Sequence, residues 1–147
     1  MFYTRPHSTA TWGTQAKDWE AGVDFKKLVH DRTERARQAI TDAGLAAVIC
    51  FNFDNIRYIT ATHIGEWGRD KFDRYCLLGQ EGSPFLWDPA APAKRKSSPW
   101  MGNNVDAPVS TMQGALPPAL GIEKVFAKQI KEKLVDMGIQ NEPIGID

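Results

Sequence analysis

The sequence has no apolar run approaching the roughly 18 residues that a membrane-spanning helix needs, so no span is expected. Its first residues, Met1 to Trp12, contain no apolar core of the kind a secretion signal carries, and the expected location is the cytoplasm. There is no charge excess: Lys plus Arg and Asp plus Glu each number 18. A dedicated nucleic-acid binder normally carries a basic surplus, so nucleic acid is not an expected partner. The basic run Lys94-Arg95-Lys96 is short and reads as a solvated loop. Cysteines are scarce, only Cys50 and Cys76. Their separation lacks the close ligand pairing of a thiolate metal site. Each sits in an apolar segment and reads as a free, buried thiol in a reducing compartment.

Catalytic sets are lacking too. The three histidines, His7, His30 and His63, form no His-x-x-x-His or other close ligand pair. Ser8, Ser83, Ser97, Ser98 and Ser110 have no nucleophile-elbow context. The glycines form neither G-x-G-x-x-G nor G-x-x-x-x-G-K, so no phosphate loop is expected. The chain by itself is therefore read as having no catalytic residue, no metal site and no cofactor.

What remains is an ordinary globular composition, 42% hydrophobic and 24% charged over 147 residues, enough for one domain with a sizeable core. The chain is organised around Leu45–Thr60, where an apolar run, Leu45 to Phe51, leads into a polar turn, Asn52 to Asn55. Residues 1–23 read as an extended arm anchored by Trp12 and Trp19. Asp24 caps a predicted helix with apolar positions at Phe25, Leu28, Val29, Ala36, Ala39, Ile40 and Ala43, and Gly44 stops it. Arg74–Leu78 and Phe85–Trp87 read as strands joined by the tight turn Glu81–Pro84, hence antiparallel. Residues 90–104 read as a long surface connection, and Val105–Met112 as a short strand kept to an edge by Pro108. A second helix carries Ile122, Val125, Phe126, Ile130, Leu134 and Met137, with Gly138 as its stop. Ile144–Ile146 starts another buried strand. The helix, glycine, strand pattern thus occurs twice, which predicts an α/β fold with a mixed β-sheet and covering helices. A chain that stops inside an apolar strand is expected to be the N-terminal part of a longer protein.

Residues 61–71 read as a functional loop, because loops rich in aromatic and charged groups rarely serve packing alone. Arg57, Arg69 and Arg74 offer guanidinium forks suited to a carboxylate. Tyr58, Trp67 and Tyr75 can wall a pocket or stack on a cation, and His63 stands near Glu66. The other reading keeps Tyr58 and Tyr75 in the core and the arginines on the surface. The carboxylates Glu66, Asp70 and Asp73 interleave with Arg69, Lys71 and Arg74, which favours local salt bridges.

Asn55-Ile56-Arg57-Tyr58-Ile59-Thr60, Arg74-Tyr75-Cys76-Leu77-Leu78 and Pro84-Phe85-Leu86-Trp87-Asp88 follow the basic helix and Gly44-Leu45 in an order that resembles the N-terminal domain of the creatinase, prolidase and Xaa-Pro aminopeptidase family. The resemblance covers about residues 24–147, with Ala61 where the family usually has glycine. It implies a ribonuclease H-like layer arrangement for this domain. It also implies a separate C-terminal "pita-bread" domain that holds two divalent metal ions in the peptidases. Members are typically homodimers in which this domain approaches the partner's active site. Trp67-Gly68-Arg69 resembles a Phe-Gly-Arg segment that holds the substrate carboxylate in creatinase. The implied role is a non-catalytic domain contributing to dimerisation and to the substrate pocket, with Arg57, Tyr58, His63, Trp67 and Arg69 as candidate substrate-binding residues for a small peptide or small zwitterion. Creatinase lacks the metals and a dimethylsulfoniopropionate lyase shares the fold, so a parent acting on a small non-peptide substrate is the alternative, as is a stand-alone binding or assembly module.

Overall fold

A computed structural model describes residues 23–62, 74–109 and 121–147. The expected arm lies outside the described residues apart from Val23, as do residues 63–71 of the expected functional loop.

Helix α1, Phe25–Asp42, begins where the Asp24 side chain accepts the Lys27 N–H at 3.0 Å. It carries Lys27–Asp31 and Arg37–Glu34 pairs on its outer surface, while Thr33 and Ile40 are buried on its inner one. Ala39 and Ala43 are exposed, so the buried stripe is narrower than the spacing predicts. Gly44 turns the chain at a φ of +68°, a conformation glycine adopts without steric cost. Strand β1, Ala47–Cys50, follows.

The polar stretch after β1 is a helix rather than a plain turn. Helix α2, Phe53–Thr60, starts at Asn52, whose side chain accepts the Asp54 N–H at 2.8 Å. Composition pointed to a turn because Asn and Asp serve both turns and caps. What decides the matter is that Ile56, Ile59 and Thr60 fall on one buried face. Ala61 closes the helix in a left-handed conformation, at a φ of +48°.

Strands β2, Tyr75–Gly79, and β3, Phe85–Trp87, pair antiparallel as predicted. Residues 90–104 depart from the expected surface connection. They hold helix α3, Ala91–Ser97, and a 3-10 turn, Pro99–Met101, each with proline in its first turn. These carry the crossover that lets β4, Val105–Asp106, lie parallel to β3 at the sheet edge. The basic run lies in a helix rather than a loop: Lys94 is buried, while Arg95 and Lys96 are exposed, Arg95 hydrogen-bonding the Val105 carbonyl through two nitrogens. Helix α4, Ile122–Asp136, leads to β5, Ile144–Ile146.

The sheet order is β4-β3-β2-β1-β5, with β1 antiparallel to β2 and parallel to β5. Central position therefore belongs to β2, whose five residues are all buried, and not to β1. Strand β5 is an edge, and Ile146 is 71% exposed, so it is not the buried strand its composition suggested.

Side chains alternate across the sheet, as a period of two requires. Cys50, Cys76, Leu78, Leu86 and Val105 join Ile40, Ile56 and Ile59 on the face covered by α1, α2 and α3. Ala47, Ile49, Tyr75, Leu77 and Trp87 join Phe126, Ile130 and Leu134 on the face covered by α4. The result is an α/β three-layer arrangement around a mixed sheet. Each fully buried Leu or Ile contributes about 1.5–3 kcal/mol to holding the layers together. On the α4 side Tyr75 stacks on Trp87 at 4.8 Å and meets Phe126 edge-on at 4.9 Å, which makes Tyr75 a core residue and not a pocket wall.

Candidate functional site

Strands β1, β3, β4 and β5 point the same way, and β2 starts where they end. Their carboxyl ends define one rim, the place where open α/β sheets usually bind ligands. Thr62 and Arg74, the residues flanking 63–73, meet at this rim.

A buried polar chain joins them. Arg74 is 2% exposed, yet it carries a full guanidinium. Its Nε donates to Asp88 Oδ2 at 2.6 Å, and its Nη2 donates to Thr62 Oγ1. The Thr60 hydroxyl donates to the Ile56 carbonyl at 2.7 Å. Thr60 has no second proton, so in the 2.7 Å contact between the two threonine hydroxyls Thr62 donates and Thr60 accepts. The Thr60 carbonyl then accepts the Trp100 indole N–H at 2.7 Å. Asp88 Oδ1 accepts the Ala90 N–H at 2.8 Å, which ties the carboxylate into the turn before α3. Among the described residues, Arg74 Nη1 is buried with no hydrogen-bond partner.

Burial pulls the Arg74 guanidinium below its ordinary value, opposed by the charge and hydrogen bond of Asp88. Lys94 is also lowered, first by burial; Asp88 opposes the shift and Arg74 adds to it. Asp88 thus bonds the Arg74 guanidinium directly and also acts through its charge on Lys94. Asp88 is the keystone, because removing one partner of a buried pair strands the other charge.

A second carboxylate works at the same rim. Asp147 Oδ1 accepts the N–H groups of Phe51 and Asn52 at 2.7 and 3.2 Å, and Oδ2 accepts Asn55 Nδ2 at 2.8 Å. Burial raises its pKa, but the Asn55 amide and the two backbone N–H groups outweigh that and hold it below the usual carboxylate value. An anion at this position also suits the amino end of α2.

Of the residues singled out from the sequence, Arg57 and Tyr58 lie on the exposed side of α2. Tyr58 is 37% exposed and lies under the Arg32 guanidinium, 5.3 Å from the ring centre. Phe53 is exposed on the same helix. His63, Trp67 and Arg69 fall outside the described residues, so their convergence with Arg57 and Tyr58 is not defined. Arg74, weighed as a ligand or a surface residue, is instead a buried strut. Asp88, Thr60, Thr62, Trp100 and Asp147 were not singled out. One signal for Asp88 was legible: Asp-Pro-Ala at the end of a strand is a pattern for a side chain that accepts from the backbone two residues on. Among the described residues, no three His, Cys, Asp or Glu side chains form a group able to hold a metal ion, and no helix is long and apolar enough to cross a membrane.

No protein-family model matches the chain, and no curated protein matches it.

Proposed function

We propose that residues 24–147 are the non-catalytic N-terminal domain of a cytoplasmic creatinase, prolidase or Xaa-Pro aminopeptidase-like metallohydrolase. In this reading the domain contributes to a homodimer and to the substrate pocket of the partner subunit. Residues Arg57, Tyr58, His63, Trp67 and Arg69 contact a small peptide or small zwitterionic substrate. The two divalent metal ions belong to a C-terminal catalytic domain, where they would activate water against the scissile bond.

The observation that carries the reading is the buried bridge from Thr62 through Arg74 to Asp88. A domain that shapes a neighbour's pocket must hold its contributing segment firmly at both ends, and this bridge ties the residues on either side of 63–73 to each other and to β3. The charged groups described at the rim, Arg74, Asp88 and Asp147, already bond within the domain, which suits support rather than chemistry. The antiparallel run β1-β2-β3 with β5 laid parallel on β1 supports the ribonuclease H-like assignment.

The direct experiment is to determine the gene product that carries this domain and assay it. A catalytic domain after Asp147 that binds two divalent metals and cleaves Xaa-Pro dipeptides is the expected result. A product ending at Asp147 would sink the reading in favour of a stand-alone module. A product with that second domain but no Xaa-Pro activity would move it to an enzyme of small non-peptide substrates. In the active parent, Arg69→Ala should lower kcat/KM about tenfold or more, since hydrogen bonds to charged groups contribute about 1.5–3 kcal/mol. Unchanged kinetics would remove Arg69 from the site.

A further inference from the structure

Cys50 and Cys76 are direct partners in the β1–β2 register. They are 3% and 0% exposed, both free, and both on the sheet face covered by α1 and α2. The Gln80 N–H donates to the Ala46 carbonyl at 3.2 Å, so Ala46 and Gln80 oppose each other as a hydrogen-bonded pair. Antiparallel positions alternate. Four steps along, Cys50 and Cys76 therefore occupy a hydrogen-bonded position as well. Partners of that kind stand about 5.5 Å apart at Cα, inside the roughly 4.4–6.8 Å window of protein disulfides. Cys50, followed by burial, holds the Cys76 thiol well above its usual pKa.

We infer that Cys50 and Cys76 form an oxidisable pair that closes to a cross-strand disulfide when a small peroxide reaches it. One sulfur, as thiolate, attacks a peroxide oxygen and breaks the O–O bond, giving a sulfenic acid and water. The second sulfur then displaces the sulfenic hydroxyl as water, and the S–S bond forms. Two thiols and one peroxide yield one disulfide and two waters. Both thiols are enclosed in the folded state, so the reaction waits on local opening of β1 from β2. The closed loop spans residues 51–75. It contains α2 and Thr62, and its base lies beside Arg74. Oxidation would covalently fix the same rim that the Arg74–Asp88 bridge holds non-covalently. The inference stands independently of the metallohydrolase reading.

The test treats the chain with hydrogen peroxide and maps its peptides under non-reducing conditions. The expected product links the Cys50 and Cys76 peptides within one molecule, with the linked pair lighter by two hydrogens and restored by dithiothreitol. Its formation should be faster in mild urea. The linked protein should melt roughly 5–10 °C higher than the reduced one, from closure of the enclosed loop. Cys50→Ala and Cys76→Ala proteins should show no link and no peroxide-dependent change in Tm. Oxygen added to either cysteine without a link, a link between two molecules, or thiols that stay reduced in mild urea at peroxide levels that oxidise the unfolded chain would each overturn the inference.

Discussion

Asp88→Asn tests the buried bridge with the least geometric disturbance. The substitution keeps the size of the side chain and leaves an amide oxygen to accept the Ala90 N–H, so no cavity is created. It removes the charge that faces Arg74 Nε at 2.6 Å and that offsets both Arg74 and Lys94. The amide nitrogen, itself a donor, then confronts the guanidinium N–H. Breaking a buried pair from one side costs about 3–5 kcal/mol. Against a total stability of about 5–15 kcal/mol for a domain, that is a large share. At about 2–4 °C per kcal/mol for a chain of this size, Tm should fall by roughly 10 °C. Urea denaturation supplies the free energy directly. A second variant isolates the electrostatic cause: Arg74→Met in the Asp88→Asn background should recover part of the loss, because the stranded cation is gone. If Asp88→Asn costs under about 1 kcal/mol, the pair is screened like a surface salt bridge and the reasoning fails. If the double variant is less stable than Asp88→Asn alone, the loss comes from packing and not from the unpaired charge.

The two pH predictions have opposite signs. Asp147 is held below its ordinary value of 3.8, so between its folded and unfolded pKa values the unfolded chain binds more protons. Its contribution is present above the unfolded value and is lost as pH falls through the folded one. Acid denaturation of Asp147→Asn should therefore show a shallower loss of stability below about pH 4 than the parent chain, and parallel curves would refute the assignment. Tyr75 is pushed up from 10.0 by burial, and its hydroxyl donates to Gln129 Oε1 at 2.6 Å. Above pH 10 the unfolded chain releases this proton and the folded chain keeps it, so stability falls as pH rises. Tyr75→Phe should lose about 1 kcal/mol at neutral pH from the missing hydrogen bond and should flatten the alkaline limb. An unchanged alkaline limb would show that Tyr75 ionises freely in the fold.

Elements whose signal is local were legible in the residues. Asp24, the apolar spacing to Ile40 and Gly44 define α1 by capping, periodicity and a left-handed stop, all of which act within a few residues. The Glu81–Pro84 turn and the antiparallel pairing of β2 with β3 follow from the same short-range chemistry, and α4 and its Gly138 stop repeat it. The α/β class followed from the alternation of these units. Less legible were elements whose local chemistry serves two structures. Asn52–Asn55 has the composition of a turn and is the start of a helix, because Ile56 and Ile59 need a buried face that only the packed sheet provides. Residues 91–101 are short, proline-rich and charged, and become helical only where the crossover from β3 to β4 requires it.

The sequence by itself determined two buried thiols, a basic outer helix and an apolar strand leading into α2. These depend on residue type and spacing along the chain. Only the tertiary structure decided that β2 is central, that Arg74 is a strut and not a ligand, that Lys94 is buried, and that Cys50 stands opposite Cys76. Each of these depends on register or on charges brought together from 12 or more residues away. No local propensity carries that information, because the energy of a buried charge depends on partners that only folding brings within reach.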